Sequence, residues 1–167
     1  MLIKIFKNKG KGSAKASIDY LLDKDRNREL ATVLKGNPEL SLELAQSLAF
    51  SNKYTVGCLS FEEADLPKKS KLELMEKFEE MVFAGLTNEQ FNISWIEHRD
   101  KGRLELNFFI PNVELTTGKR YQPYFHRNDK HLFDSWMQLQ NYQYQLSDPH
   151  DPTKRQLCKF EFSTDMQ

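Results

Sequence analysis

The sequence predicts an α+β fold, a two-layer sandwich in which a central antiparallel sheet of about five strands carries helices on one face. Three observations predict it. Strand-like segments are joined by hairpin turns, amphipathic helical segments lie between them, and no internal repeat or low-complexity linker interrupts the chain. With 167 residues, the chain is long enough for one domain with its own core. We expect the second face of the sheet to be open to a ligand.

The first part of the chain predicts two strands and two helices. Residues 2–7 (LIKIFK) are typical of a strand, and a loop rich in glycine and lysine leads to a helix that begins near Ser13. A short strand is predicted at 31–34. Asn37 and Pro38 mark the start of the second helix, with asparagine as the N-cap and proline at the first helical position.

The middle of the chain predicts a strand followed by a long helix. Residues 53–61 (KYTVGCLSF) contain β-branched and aromatic side chains that favour a strand. Ser70 and Glu73 have the spacing of a capping box, which predicts the start of the helix. The predicted buried side of this helix consists of Leu72, Met75, Phe78, Met81 and Val82, which we interpret as core.

The last part of the chain predicts a hairpin and one more helix. Residues 96–108 (IEHRDKGRLELNF) form two alternating segments on either side of a turn, and Pro111 ends the second strand. A helix is predicted from about 128 to 146, with a buried side of Leu132, Phe133, Trp136 and Met137. Residues 157–162 (LCKFEF) are expected to add an edge strand.

Charge, cysteine content and the N-terminal residues indicate where the protein is located and what it could bind. The formal net charge is zero, which argues neither for nor against nucleic acid, although the N-terminal stretch before the first acidic residue is rich in lysine. Cys58 and Cys158 match no zinc or disulfide pattern, which fits a reducing cytoplasm. The apolar run at the N-terminus is too short and too charged for a signal peptide or a membrane span. We expect a cytoplasmic protein without membrane insertion.

Three polar side chains of the hairpin are candidate metal ligands. Glu105 and Asn107 are two residues apart, so they share a face of their strand. His98 joins that face if it pairs with Glu105, whereas a register shifted by one residue would turn it away. The opposite face is predicted to be buried through Leu104, Leu106, Phe108 and Ile110, which leaves Glu105 and Asn107 accessible.

The chemistry of this set favours a hard cation. One imidazole nitrogen with carboxylate and amide oxygens suits Mg²⁺ or Mn²⁺ better than a structural zinc ion. Three ligands also leave coordination positions open for a substrate. Spacing alone, however, is explained more often by an ordinary solvated strand with a nearby histidine.

A resemblance to a known family strengthens the metal interpretation. Residues 95–124 (WIEHRDKGRLELNFFIPNVELTTGKRYQPY) resemble the third motif of MobA-type plasmid mobilization relaxases of the colicin-plasmid subgroup. In this subgroup of the HUH-like nickases, a His…Glu-x-Asn set stands in for three histidines. The resemblance extends to KGKGS…IDYLL around Tyr20, to RNRELATVLKGNP and to KYTVGCLSFEE at 53–63.

The resemblance implies a function and a set of site residues. Relaxases nick one strand of plasmid DNA at the transfer origin and stay joined to its 5′ end through a phosphotyrosine. By this resemblance, Tyr20 is the nucleophile, and His98, Glu105 and Asn107 hold Mg²⁺ or Mn²⁺. Glu63 matches the second motif and is an orienting or proton-accepting group.

The resemblance also implies a fold, partners and a longer protein. It implies the relaxase fold, a permuted RRM-like sheet. Expected partners are plasmid DNA, single-stranded around the nick, together with accessory mobilization proteins and a coupling protein. Family members generally continue beyond this region, so we expect residues 1–167 to be a single catalytic domain of a longer protein.

The candidate DNA contacts are basic and aromatic side chains. Basic residues suit phosphates and aromatic rings suit bases, although each of these residues is equally explained as ordinary surface. They are Lys7, Lys9, Lys11, Lys15, Arg99, Lys101, Arg103, Lys119, Arg120 and Tyr121, with Tyr124 and Phe125 as further stacking surfaces.

Three other functions remain open at this point. They are a non-catalytic module for single-stranded nucleic acid, a metal nuclease that uses water as the nucleophile, and a rolling-circle replication initiator. The first would lack a metal requirement, and the second would cut DNA without becoming attached to it.

Overall fold

A five-stranded antiparallel sheet forms the centre of the protein. In the structure, a computed structural model that describes residues 1–6, 13–99 and 102–154, the strands are β1 (Leu2–Ile5), β2 (Ala31–Lys35), β3 (Tyr54–Ser60), β4 (Ser94–His98) and β5 (Glu105–Pro111). Their order across the sheet is β1-β3-β5-β4-β2. All four neighbouring pairs are antiparallel, so the predicted α+β class and the antiparallel sheet are confirmed.

Four α-helices accompany the sheet in the described part of the chain. They are α1 (Ala14–Leu22), α2 (Pro38–Ser47), α3 (Lys68–Val82) and α4 (His126–Gln143), and a short 3₁₀ turn follows at Pro152–Lys154. None of the helices among the described residues is both long and apolar enough to cross a membrane. The edge strand predicted at 157–162 lies outside the described residues.

The larger of two buried clusters lies between the sheet and the pair α3 and α4. Phe78 of α3 is at its centre, with its ring 4.7 Å from the ring of Phe108, 5.5 Å from Trp95 and 6.0 Å from Phe133. Leu104, Leu106, Phe108 and Ile110 all belong to this cluster, as the alternation in β5 predicts.

The other face of the sheet is covered by α1 and α2, so the expectation of helices on one face only is wrong. Ile18 and Leu21 of α1 and Leu42 of α2 pack against Ile96 and Phe109. The physical reason is that α1 and α2 each have an apolar side, which is buried by packing against the sheet. Glu105 and Asn107 lie on this covered face and are buried, which corrects the prediction that they are accessible.

Two helix starts test the capping predictions. Asn37 caps α2 as predicted, because its side-chain oxygen accepts from the backbone N–H of Glu39 at 3.0 Å and of Leu40 at 3.2 Å. The capping box predicted at Ser70 is wrong. Helix α3 begins directly after Pro67, so Ser70 already lies within its first turn.

The buried side of α3 contains charges that an apolar pattern cannot reveal. Lys71 and Glu79 point inward, while Leu72, predicted as core, is 36% exposed. Glu79 accepts from the indole N–H of Trp95 at 2.8 Å and from Lys35 at 2.6 Å, so its charge is compensated. Leu132 of α4, also predicted as core, is 53% exposed.

Candidate active site

The hairpin register brings the three candidate ligands together. His98 pairs directly with Glu105, and Asn107 follows two residues along β5, opposite Ile96. The predicted register is therefore confirmed, and the three side chains share the face that α1 covers. Directly opposed residues in such a pair have their Cβ atoms about 5 Å apart. The exposed fractions are 2% for His98, 9% for Glu105 and 1% for Asn107, which makes this a buried polar site.

Helix α1 contacts the site through a backbone carbonyl. The Nε2 atom of His98 lies 2.7 Å from the carbonyl oxygen of Leu21. Because a carbonyl oxygen only accepts, this hydrogen bond requires a proton on Nε2, and in the neutral form of such a ring Nδ1 is the nitrogen that can bind a cation. Metal-binding histidines are commonly oriented by such a bond from the nitrogen that does not bind the metal.

Further hydrogen bonds hold the two β5 side chains. Asn107 donates from its side-chain nitrogen to the carbonyl of Ile96 at 3.4 Å, so its amide oxygen is the atom that a hard cation would take. Glu105 accepts from the guanidinium of Arg103 at 3.0 Å. Arg103, predicted to contact DNA, is thus an ion-pair partner of a candidate metal ligand.

Among the residues that the structure describes, no three His, Cys, Asp or Glu side chains lie close enough together to hold a metal ion. This does not bear on the hairpin set. Only His98 and Glu105 belong to those four residue types, since the third candidate ligand, Asn107, is an amide.

Tyr20 lies on the same turn of α1 that contacts His98. It precedes the fully buried Leu21 and is itself 58% exposed. Arg28 holds this turn, because its guanidinium donates to the Tyr20 carbonyl at 2.5 Å and lies 5.4 Å from the centre of the Tyr20 ring. Its backbone N–H also binds the Leu22 carbonyl at 3.0 Å.

His98 and Arg28 together cap the C-terminal end of α1. The carbonyls of Tyr20, Leu21 and Leu22 would lack partners at the end of a helix, and here His98 and Arg28 bind all three. The partial negative charge at a helix C-terminus also favours nearby cations.

Asp19, the neighbour of Tyr20, belongs to a surface ion-pair network. Its carboxylate lies 2.6 Å from both Lys15 and Arg26, and Arg26 also binds Glu39 of α2. Hydrogen bonds from Lys15 and then from Arg26 hold the pKa of Asp19 below its ordinary value. Lys15, predicted to contact DNA, therefore has an acidic partner within its own helix.

Glu63 has a partner outside the hairpin set. One of its carboxylate oxygens accepts from the backbone N–H of Ser147 at 2.8 Å, and its own carbonyl accepts from Leu104 at 2.9 Å. Its other carboxylate oxygen is buried without a hydrogen-bond partner among the described residues. These contacts connect Glu63 to the segment after α4 and to Leu104, the residue before Glu105, and its role as the second-motif carboxylate stays a prediction.

Arg99 belongs to a charge cluster on the α3 side of the sheet. It lies 3.1 Å from Glu97 and 3.4 Å from Asp65, and Lys71 contacts the same two carboxylates at 2.5 and 2.6 Å. Burial acts to lower the pKa of Lys71, but hydrogen bonds to Asp65 and Glu97 outweigh it and raise that pKa above its usual value. This cluster fixes β4 against α3.

The remaining predicted DNA contacts lie at the far end of β5 or outside the described residues. Lys119 and Arg120 follow Pro111, so about 20 Å of extended strand separates their end of the sheet from Glu105. Tyr121 donates its hydroxyl to the Val82 carbonyl at 2.5 Å, and burial raises its pKa. Lys7, Lys9, Lys11 and Lys101 lie outside the described residues.

Comparison with known proteins gives two close matches. Cryptic plasmid protein C of Neisseria gonorrhoeae is 53% identical over 156 residues, which cover 93% of this chain and 76% of that protein. The DNA relaxase MbeA of Escherichia coli is 50% identical over 155 residues, which cover 93% of this chain. The chain belongs to the same protein family as cryptic plasmid protein C, and it is similar over nearly its whole length to part of the DNA relaxase MbeA. It spans only 30% of the length of this relaxase, and no protein-family model matches it.

Two cations near the candidate site were not recognised from the sequence as site residues. Arg28 returns to the Tyr20 turn through the loop after α1, and Lys4 reaches the site face from β1, where its ammonium donates to the Ser60 hydroxyl at 3.3 Å. In the sequence, the only signal at Lys4 is a charged residue between Ile3 and Ile5. Its position relative to the candidate site depends on the pairing of β1 with β3.

Proposed function

We propose that this chain nicks one strand of plasmid DNA at the transfer origin during conjugative mobilization, through attack by the Tyr20 hydroxyl. The identity to the DNA relaxase MbeA supports the substrate class. The observation that carries the proposal is the hydrogen bond between His98 and the Leu21 carbonyl, because it joins the His-Glu-Asn set to the helical turn that bears Tyr20.

The chemistry of the donor set fits Mg²⁺ or Mn²⁺. His98, Glu105 and Asn107 would hold the cation with one nitrogen and two oxygen ligands. The orientation of His98 by a backbone carbonyl and the negative end of α1 favour a cation at this position. A bound divalent cation would neutralise charge on the phosphate oxygens of the DNA.

The proposed reaction is a transesterification. The Tyr20 oxygen forms a bond to the scissile phosphorus as the bond from phosphorus to the 3′ oxygen breaks, the tyrosine proton is released, and the 3′ oxygen gains a proton. The product is a 5′-phosphotyrosyl DNA and a 3′-hydroxyl. Because the new bond is also a phosphodiester, attack by the 3′-hydroxyl can rejoin the strand. The exposure of Tyr20 supports access of DNA to its oxygen.

A tyrosine hydroxyl is a weak nucleophile at neutral pH because it is mostly protonated. A base that accepts its proton would therefore assist the attack, and Glu63 is the carboxylate that we propose for an orienting or proton-accepting role. For partners, the proposal implies accessory mobilization proteins and a coupling protein that delivers the nicked strand.

The decisive test is a nicking reaction analysed on a denaturing gel. The chain is incubated with Mn²⁺ and a single-stranded oligonucleotide that carries the transfer-origin sequence of its plasmid. Wild-type protein should cut it and form an adduct that resists boiling in detergent, and a chelator should stop both. Tyr20→Phe should lose nicking and adduct together while DNA affinity changes little, because only the attacking oxygen is removed.

Tyr142→Phe is the matched control, since Tyr142 is a helical tyrosine that is 85% exposed. It should nick and form the adduct as wild type does. A Tyr20→Phe protein that still nicks and leaves a free 5′-phosphate would mean that water is the nucleophile. An adduct that persists in this variant would assign the attack to another tyrosine. Binding without cutting by the wild type would favour the non-catalytic module.

A further inference from the structure

We propose that Lys4 binds a phosphate of the DNA strand next to the nick, so that the DNA site extends across the sheet to strand β1. The inference rests on the proposed function, because it takes the substrate to be a single DNA strand at the His-Glu-Asn set. It adds a substrate-binding residue on β1, which lies outside the stretches that carry the family resemblance.

The strand register places Lys4 on the face of the candidate ligands. Lys4 pairs with Cys58, and Cys58 pairs with Asn107, so these three side chains form one row across the sheet. The ammonium of Lys4 turns toward the neighbouring row and donates to the Ser60 hydroxyl at 3.3 Å. Ser60 pairs with Glu105. The ammonium therefore lies beside the row formed by Ser60, Glu105 and His98. Because neighbouring strands are about 4.8 Å apart, Glu105 lies about one strand spacing beyond Ser60 and His98 about two.

The charge of Lys4 is not matched by an acid. Its side chain is half-buried, and its recorded partner is a neutral hydroxyl. Among the described residues, no carboxylate lies within ion-pair distance of its ammonium. Other partly buried lysines differ, since Lys35 lies 2.6 Å from Glu79 and Lys71 lies 2.5 Å from Glu97. A lysine charge that is partly removed from water and lacks an acidic partner is suited to an anionic ligand.

The backbone of Lys4 is held firmly in place. At Gly57 an added Cβ would lie 2.3 Å from the Lys4 carbonyl oxygen and 2.6 Å from the Phe108 ring, so β1 packs closely against β3 there. A donor on a fixed strand loses less freedom when it binds than one on a loop. A phosphate near the nick is the anion that the proposed substrate offers at this distance from the ligands.

The test measures DNA binding without cleavage. Tyr20→Phe protein, which should not cut, is titrated with the transfer-origin oligonucleotide over a range of salt concentrations. Adding Lys4→Met should weaken binding about tenfold, the effect of one charge-assisted hydrogen bond. It should also reduce the slope of log affinity against log salt by about 0.7, the value for one phosphate contact on a single strand. Lys4→Arg should keep the slope.

Lys77→Met is the matched control. Lys77 is a half-buried lysine on the α3 side of the sheet, with its ammonium 4.9 Å from the centre of the Tyr144 ring. Its replacement should leave affinity and slope unchanged. A structural role for Lys4 would lower the melting temperature without changing the slope.

A series of oligonucleotides, each with one neutral methylphosphonate, then locates the contact. The substitution at one position near the nick should weaken binding of the protein that keeps Lys4 but not of Lys4→Met. The inference about Lys4 would be overturned if every methylphosphonate weakened binding equally in both proteins and Lys4→Met left the salt slope unchanged. That outcome would leave the proposed function intact as long as the wild-type protein still forms its adduct. Failure of the wild type to form an adduct would instead count against the proposed function.

Discussion

At the scale of single residues, the hairpin carries a polar set inside an otherwise apolar interface. Burial of polar groups costs stability unless hydrogen bonds compensate. His98, Glu105 and Asn107 each have a partner, namely the Leu21 carbonyl, Arg103 and the Ile96 carbonyl. Apolar residues would fill these positions at lower cost, so their presence supports a functional site.

Replacement of Glu105 tests the metal site. Glu105→Gln keeps the shape of the side chain and removes its charge, so affinity for Mn²⁺ should fall by at least about tenfold, since charge-assisted bonds are roughly twice as strong as neutral ones. Arg103→Met should raise that affinity, because it removes a cation that lies 3.0 Å from the same carboxylate. Calorimetric titration measures both. Unchanged affinity in Glu105→Gln would remove Glu105 from the site.

The sequence predicted the arrangement of these residues where it depends on neighbouring parts of the chain. The pairing of His98 with Glu105 follows from two adjacent strands and a short turn, both visible in the alternating pattern. Lys4 and Arg28 were missed as site residues because their positions depend on contacts between distant parts of the chain or on a loop that folds back. Neither residue type nor spacing contains that information.

At the scale of elements, charges explain the errors in α3. Two of its inward positions are occupied by Lys71 and Glu79, which are paired with Glu97 and Lys35. A prediction based on apolar residues alone therefore places Leu72 on the buried face and leaves Lys71 and Glu79 off it. Helix α2 was predicted correctly because Asn37 and Pro38 act through local backbone geometry, which tertiary contacts do not need to complete.

Strand β1 offers a test of how elements position the site. Gly57→Ala should destabilise the fold by about 1–3 kcal/mol, because the new Cβ would overlap the Lys4 carbonyl and the Phe108 ring. Urea unfolding followed by circular dichroism measures the change. The loss should exceed that of Ala84→Gly, a small change outside the sheet. A variant as stable as the wild type would show that β1 can move away from β3 at little cost.

At the scale of the whole molecule, the covered sheet restricts how a ligand reaches the site. The sequence predicted the sheet but not the burial of its second face by α1 and α2. An amphipathic pattern shows that one side of a helix is buried, but it does not show against which face of the sheet. The connections between the helix and its neighbouring strands decide that face. The proposed DNA strand would therefore approach the buried set at the end of α1, where Tyr20 is exposed, because α1 and α2 cover part of this face.

If the His-Glu-Asn set binds a cation, the hydrogen bond from His98 to Leu21 would couple that binding to the end of α1. A cation bound at Nδ1 would make the Nε2 proton more acidic and strengthen its bond to the Leu21 carbonyl. The last turn of α1 should then open less often. Amide hydrogen exchange in the peptide covering 14–22, measured by mass spectrometry, should slow when Mn²⁺ is added.

His98→Ala should abolish this response, and a peptide from α4 should show none in either protein. Equal exchange of the α1 peptide with and without Mn²⁺ would argue against the coupling. If the response is present and Tyr20 attacks DNA as proposed, the turn that bears Tyr20 would become rigid only after the metal has bound. The metal-free protein would then hold its nucleophile loosely and would rarely cleave a DNA strand.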